Sequence, residues 1–153
     1  MPIQQGLTTI YKQAMLRGEY WTGTAWSATF AIKPRSDTIR MALYTAFSDI
    51  GPNTTVYTPI NELPNANGYT TGGNRLTGVT ITADANGVAY MNFDNVSWLN
   101  ANFTARGALI YDDTRGNMAL AVIDFGSDKV FSPTSNTVTM PANTATTALI
   151  RLP

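Results

Sequence analysis

The chain of 153 residues contains no cysteine and no histidine. Without cysteine there are no disulfides and no thiolate metal sites, and cysteine usage leaves the redox compartment undetermined. With histidine also missing, the usual nucleophile–base pairs and zinc or copper sites cannot be assembled. Charge is scarce and balanced, since 13% of residues are charged and ten Lys plus Arg face ten Asp plus Glu. A net charge near zero gives no electrostatic basis for holding nucleic acid or a membrane surface, and it favours association. No apolar run approaches the ~20 residues that span a bilayer. Residues 1–21 lack the unbroken apolar centre of a secretory signal, so the protein is expected to be made and used without general export. Repeats, low-complexity tracts and linkers are likewise missing. A chain of this length fits one domain that buries roughly two-thirds of its unfolded surface.

What the chain does have is short apolar runs punctuated by turn residues. The stretch 104–129 is the clearest, with runs at 108–111 and 118–125 joined by a polar loop that has Gly116 near its end. Such runs predict a β-hairpin whose strands are buried on one or both faces. Runs 26–33 and 38–45 flank the break Pro34-Arg35-Ser36-Asp37, and Ile39, Met41 and Leu43 share a face opposite Arg40, Ala42 and Tyr44. Strands are also predicted at 76–82 and 88–93 around Asp84-Ala85-Asn86-Gly87, a turn in which Asn86 and Gly87 would supply positive φ angles. The segment 94–103 carries Trp98, and two last strands are expected at 137–140 and 146–151. Region 47–74 is irregular, rich in Pro, Gly, Asn and Thr, with room for one short strand near 55–57. A loop system of that length is either functional or ordered by a partner.

About seven or eight strands with short turns describe an all-β fold, an antiparallel β-sandwich of immunoglobulin-like or jelly-roll-like kind. Ahead of it, residues 4–17 place Leu7, Ile10, Tyr11, Ala14 and Met15 at helical spacing, with Gly18 where a helix would stop. The expected organisation is a helix or arm over 1–20 and a single sandwich domain over 21–153. The arm either packs across one end of the sandwich or reaches onto a neighbouring subunit. In the second case, removing residues 1–18 would leave the sandwich folded.

Candidate chemistry is thin. Asp112, Asp113 and Asp124 are carboxylates of the kind glycoside hydrolysis pairs, but Asp112-Asp113 opens a hairpin loop, where Asp caps its own turn. Asp84, Asn86, Asp94 and Asn95 offer oxygens to a hard cation, at a spacing that matches no calcium loop. Gly72-Gly73-Asn74 lacks the following helix and the Lys-Ser/Thr pair of a phosphate cradle. Arg106 is the more interesting charge. It sits beside Gly107, which permits close backbone approach, and its fork suits either a structural pair with Asp94, Asp124 or Asp128 or a contact across a subunit boundary. Tyr20, Trp21 and Trp26 form an aromatic group suited to core packing, an interface anchor or a sugar platform.

The series GYTTGGNRLTGVTIT, GVAYMNFDNVSWLNANFTARGALIYDD, MALAVIDFGSDK and ALIRLP, preceded by TIRMALYTAF, is similar to a group of small virion structural proteins of tailed bacteriophages and prophages. The likeness extends from about residue 38 to 152 and rests on core and turn residues. It implies a virion component: a capsid decoration or cement protein, a head fibre, or a tail part. The first of these would bind the major capsid protein and copies of itself, most simply as a trimer on a local threefold axis. It would be made in the host cytoplasm and end on the capsid surface, without nucleic-acid or membrane contact. The alternative is a tail or fibre component that binds a host-surface glycan. The likeness supplies no catalytic residue, cofactor or metal ligand, so a non-enzymatic role is expected. The residues chosen as candidate interface are Leu7, Ile10, Tyr11, Met15, Trp21, Tyr57, Tyr69 and Arg106.

Overall fold

The runs at 108–111 and 118–125 lie in the two longest described strands, and the rest of the chain is built around them. The computed structural model describes residues 2–17, 19–27 and 34–152. In chain order these form β1 (Gly6–Leu7), α1 (Thr9–Arg17), β2 (Tyr20–Trp21), β3 (Trp26–Ser27), β4 (Ile39–Tyr44), β5 (Asn74–Arg75), β6 (Thr80–Ala83), β7 (Ala89–Asn92), β8 (Val96–Ser97), β9 (Phe103–Asp112), β10 (Met118–Phe131), β11 (Thr137–Val138) and β12 (Ile150–Leu152). The main sheet is antiparallel in the order β1-β10-β9-β4-β5, accompanied by a three-stranded sheet β12-β7-β6 and the two-stranded pairs β11-β8 and β2-β3. The fold is therefore the expected all-β sandwich with an N-terminal helix. Of the expected strand 26–33, residues 28–33 lie outside the described residues, as does Gly18.

The main sheet is buried on both faces, which is why its central strands do not alternate cleanly between apolar and polar. One face carries Ile39, Met41, Leu43, Ala108, Ile110, Met118 and Leu120 into the larger core, together with Met91 and Ile150 from the three-stranded sheet and Trp98 and Val138. The opposite face carries Ala42, Tyr44, Leu109, Tyr111, Ala119 and Val122, covered by Ile3, Ile50 and Tyr57. A register shift between Ala119 and Ala121 puts the neighbours Leu120 and Ala121 in the same core. One extra residue in a strand turns its side chains to the other face. At Gly107 the reason for glycine is proximity: a Cβ there would stand 2.5 Å from the Ile123 carbonyl oxygen across the sheet and 2.8 Å from Ile3.

The second irregularity in β10 explains the Asp-Phe-Gly-Ser-Asp run. Asp124 pairs with Gly107 and Lys129 with Ala105, so residues 125–128 all stand opposite Arg106. Asp124 Oδ1 accepts the Gly126 amide at 2.8 Å, and Gly126 takes φ 78° to turn the bulge. At the 84–87 turn the left-handed residue is Gly87 alone (φ 86°). The Asn86 part of the expectation is corrected: Asp84 organises the turn by accepting the Asn86 and Val88 amides at 3.0 and 2.9 Å.

The arm is part of the core. In α1, Ile10, Tyr11 and Ala14 are buried in the larger cluster, with Leu7 and Met15 packed against it. Thr8 fastens the helix start to the sheet, its hydroxyl donating to the Ala119 carbonyl at 2.6 Å and accepting from the Tyr11 amide at 3.2 Å. The region 47–74 is likewise structural and not a free loop system, with Ile50 and Tyr57 on the second face and Leu63 and Tyr69 in the larger core. Within it Val56 forms a single bridge to Met118 where a short strand was expected.

Candidate functional site

The loops that cover the second face are held by one acid. Glu62 is 8% exposed and accepts three hydrogen bonds: from the Tyr57 hydroxyl (2.5 Å), the Tyr69 hydroxyl (2.6 Å) and the Gly72 amide (2.7 Å). Tyr69 in turn accepts the Leu43 amide at 2.9 Å, tying the loops to β4. Tyr57 stacks on Tyr111 with ring centroids 4.7 Å apart, and the Tyr111 hydroxyl donates to the Gly72 carbonyl at 2.7 Å. Burial, followed by the Glu62 acceptor, pushes both the Tyr57 and the Tyr69 hydroxyl up from the ordinary phenol range. This network positions loops; its groups are occupied with one another. Nothing in the sequence singled out Glu62, because its three partners lie five residues before it and seven and ten residues after it.

The candidate interface residues separate accordingly. Ile10, Tyr11 and Tyr69 are buried in the chain's own core, and Leu7 and Met15 pack against it. As surfaces open to another subunit, Ile10, Tyr11 and Tyr69 are corrected by that burial. Trp21 is half-buried and meets Trp26 edge-on at 5.4 Å, while the Arg17 guanidinium lies 4.7 Å from the Trp26 ring centroid. Arg106 spans the β10 bulge to Asp124 at 3.4 Å and Asp128 at 3.9 Å, so two of its three expected partners hold it. At 34% side-chain exposure the clamp is worth roughly 0–1 kcal/mol. Asp94, the third, instead receives the Thr77 hydroxyl at 3.4 Å.

Among the exposed large apolar side chains, which also include Leu16 of α1 (91%), two stand on neighbouring loops. Phe47 is 83% exposed and Ile60 69%, and their loops are joined by Asn61, whose side-chain amide donates to the Phe47 carbonyl at 3.0 Å. Leu99 (79%), before β9, and Val130 (65%), opposite Thr104 near the start of β9, are exposed as well. Single exposed apolar residues are ordinary, whereas exposed apolar residues on adjoining loops are candidates for a contact surface. The sequence reading placed contact in loops 47–74 through Tyr57 and Tyr69, of which Tyr69 is buried and Tyr57 half-buried, because it could not tell which side chains the lid turned inward.

A second polar cluster sits at the other end of the hairpin. Asp112 Oδ1 accepts the Thr114 and Arg115 amides, both at 3.0 Å, which is the turn-capping role expected of it. Arg115 forks onto Asp37 with contacts of 3.0 and 2.9 Å. Asp112 itself is fully buried. Burial first, then the hydrogen bond to Asp37 and its charge, push the Asp112 carboxyl up from the ordinary range to about 7. Of the oxygens considered for a cation, Asn95 Oδ1 is taken by the Met140 amide at 2.7 Å and Asp84 by its own turn. Among the described residues no group of three or more acidic side chains stands where it could hold a metal.

Among the described residues, no helix is long and apolar enough to cross a membrane. Comparison with protein-family models, curated proteins and solved structures finds no match to the chain.

Proposed function

We propose that this protein is a structural component of a bacteriophage virion, a capsid decoration or cement protein that binds the lattice of the major capsid protein and stabilises the head. The observation that carries the reading is the exposed apolar end formed by Phe47 and Ile60, on a body whose other large apolar side chains are mostly buried. The resemblance of 38–152 to small phage structural proteins supports it, as does a surface too sparsely and evenly charged to bind by electrostatics. The contact surface is moved from the arm to this end, since α1 is engaged in the core. Attachment would proceed by burying apolar area between shell subunits, at ~25 cal/mol per Å² before association costs are subtracted. The glycan-binding alternative has less support, because Tyr69 is buried and Tyr57 is stacked on Tyr111.

Counting copies per purified particle by quantitative mass spectrometry tests the proposal. A decoration protein saturates at a number commensurate with the symmetry of the shell and is present on tail-less heads. A few copies per particle, or none on heads without tails, would overturn it in favour of a tail position.

A further inference from the structure

Two asparagines of the chain are followed by glycine, Asn67-Gly68 and Asn86-Gly87, and both asparagines are exposed. Such pairs are chemically labile, because glycine has no side chain to shield its amide nitrogen from the preceding carboxamide. Reaction requires the peptide between the two residues to rotate until that nitrogen faces the Asn Cγ. Exposure does not separate the two sites; the freedom of this peptide does. The Asn67–Gly68 peptide is held, since its carbonyl accepts the Asn102 amide at 2.9 Å and a Cβ on Gly68 would stand 2.4 Å from the Asn100 carbonyl oxygen. Around Gly87 nothing lies within 4 Å of where a Cβ would be, and among the described residues no hydrogen bond falls on the Asn86 carbonyl. The Gly87 amide makes only a long bond, 3.3 Å, to the Asp84 carbonyl. Asp84 Oδ1 meanwhile accepts the Asn86 and Val88 amides at 3.0 and 2.9 Å. The turn is thus pinned on either side of a peptide that is free to turn.

We propose that Asn86-Gly87 is a self-modification site, where water converts the Asn86 carboxamide to a carboxylate through a cyclic imide. Hydroxide removes the Gly87 amide proton, and the nitrogen's electron pair attacks Asn86 Cγ. The bond from Gly87 N to Asn86 Cγ forms and the Cγ–Nδ2 bond breaks. Nδ2 takes a proton from water and leaves as ammonia, which regenerates the hydroxide. Water then adds to one of the two imide carbonyls. Opening at Cγ gives aspartate; opening at the backbone carbonyl gives isoaspartate, in which the chain runs through the side-chain methylene. The net change is the exchange of ammonia for water, with nothing oxidised or reduced. Either product places a second carboxylate beside Asp84, in a chain whose formal charge is zero. Isoaspartate also lengthens the backbone inside the turn that closes the β6–β7 ladder, next to the Ala83 and Ala89 pair. The hairpin therefore ages toward negative charge and a loosened end.

The test holds the folded wild-type protein in mildly alkaline buffer and follows both asparagines by peptide mass mapping, with an isoaspartate methyltransferase to label the rearranged product. Asn86 should convert at least about tenfold faster than Asn67, equal to about 1.4 kcal/mol of barrier. The same chain unfolded in urea is the reference: both peptides are then free, and the two rates should become similar. An Asn86 that stays intact in the folded protein, or an Asn67 that converts as fast, would overturn the proposal. An Asn67 that lags equally in urea would overturn it too, because local sequence and not the held peptide would then set the order. The converted fraction, separated by anion exchange, reads the consequence. The Asp84 amide, which donates to the Val88 carbonyl at 3.0 Å across the turn, should exchange faster there than in the unconverted protein. Unchanged exchange at Asp84 would overturn the loosening of the hairpin.

Discussion

Glu62 shows how much of the architecture can rest on one side chain. A buried carboxylate that accepts from two phenols and one amide leaves three donors without partners when it is removed, and unpaired buried donors cost about 1–3 kcal/mol each. Partial relaxation and water entry reduce that sum, so Glu62→Ala is expected to lose roughly 2–4 kcal/mol of unfolding free energy. The two tyrosines should not be equal. Tyr69 is 3% exposed and joins Glu62 to the Leu43 amide, whereas Tyr57 is half-buried and makes the Glu62 bond from the rim. Tyr69→Phe should therefore destabilise by about 1–3 kcal/mol and Tyr57→Phe by less. Urea denaturation of the three variants measures this, and equal losses for the two tyrosines would contradict the network as described. A related contrast separates Arg106 from Asp112. Both are ionisable side chains in the same hairpin, but only Asp112 is fully buried, and that burial pushes its carboxyl up from the ordinary range.

At the scale of elements, the arm makes the strongest claim. β1 pairs with β10 through Gly6 with Val122 and Leu7 with Ala121, and α1 covers the larger core with Ile10, Tyr11 and Ala14. Removing residues 1–17 would strip a sheet edge and uncover an apolar face. The truncated chain is thus expected to aggregate or to bind a hydrophobic dye such as ANS, and to lose its cooperative thermal transition. A truncated chain that is monomeric and melts cooperatively near the wild-type temperature would return the arm to the role of a free contact segment. The sequence pattern shows this element well as a helix and poorly as a neighbour. The 3.6-residue spacing of Ile10, Ala14 and Met15 reports that one face is apolar and says nothing about which surface it meets, while Leu7, read into the same helix, lies in β1 because its backbone pairs with Ala121 and the helix starts only at Thr9. The hairpin was readable for the opposite reason: its partners are local, so turn and runs together specify the pairing. The lid at 47–74 was not readable, because Ile50, Leu63 and Tyr69 are buried without any period in the sequence. Their burial depends on β4 and β9, distant in the chain. For the same reason Asp37 and Arg115 could not be joined by inspection, since 78 positions separate them.

For the whole molecule, composition and surface point the same way. Ten positive and ten negative side chains over 153 residues leave little net field, while Phe47 and Ile60 stand in water at one end. If attachment to the shell rests on those side chains, burying each contributes about 1.5–3 kcal/mol. Phe47→Ser with Ile60→Ser should then weaken binding to undecorated heads by more than a hundredfold, because each 1.4 kcal/mol is a factor of ten. Neither residue supports the core, so the double variant should melt as the wild type does. Salt separates this mechanism from an electrostatic one. Exposed charge pairs are screened once the Debye length falls to a few ångströms, near 1 M salt, whereas apolar burial is not weakened by sodium chloride. Titration of undecorated heads with labelled protein at low and at high sodium chloride should accordingly give affinities within a fewfold of each other for the wild type, with the double variant weak at both. Wild-type binding that disappears in high salt, or a double variant that decorates normally, would move the contact to the charged residues of β10 and its bulge, with Arg106, Asp124 and Asp128 the first to substitute.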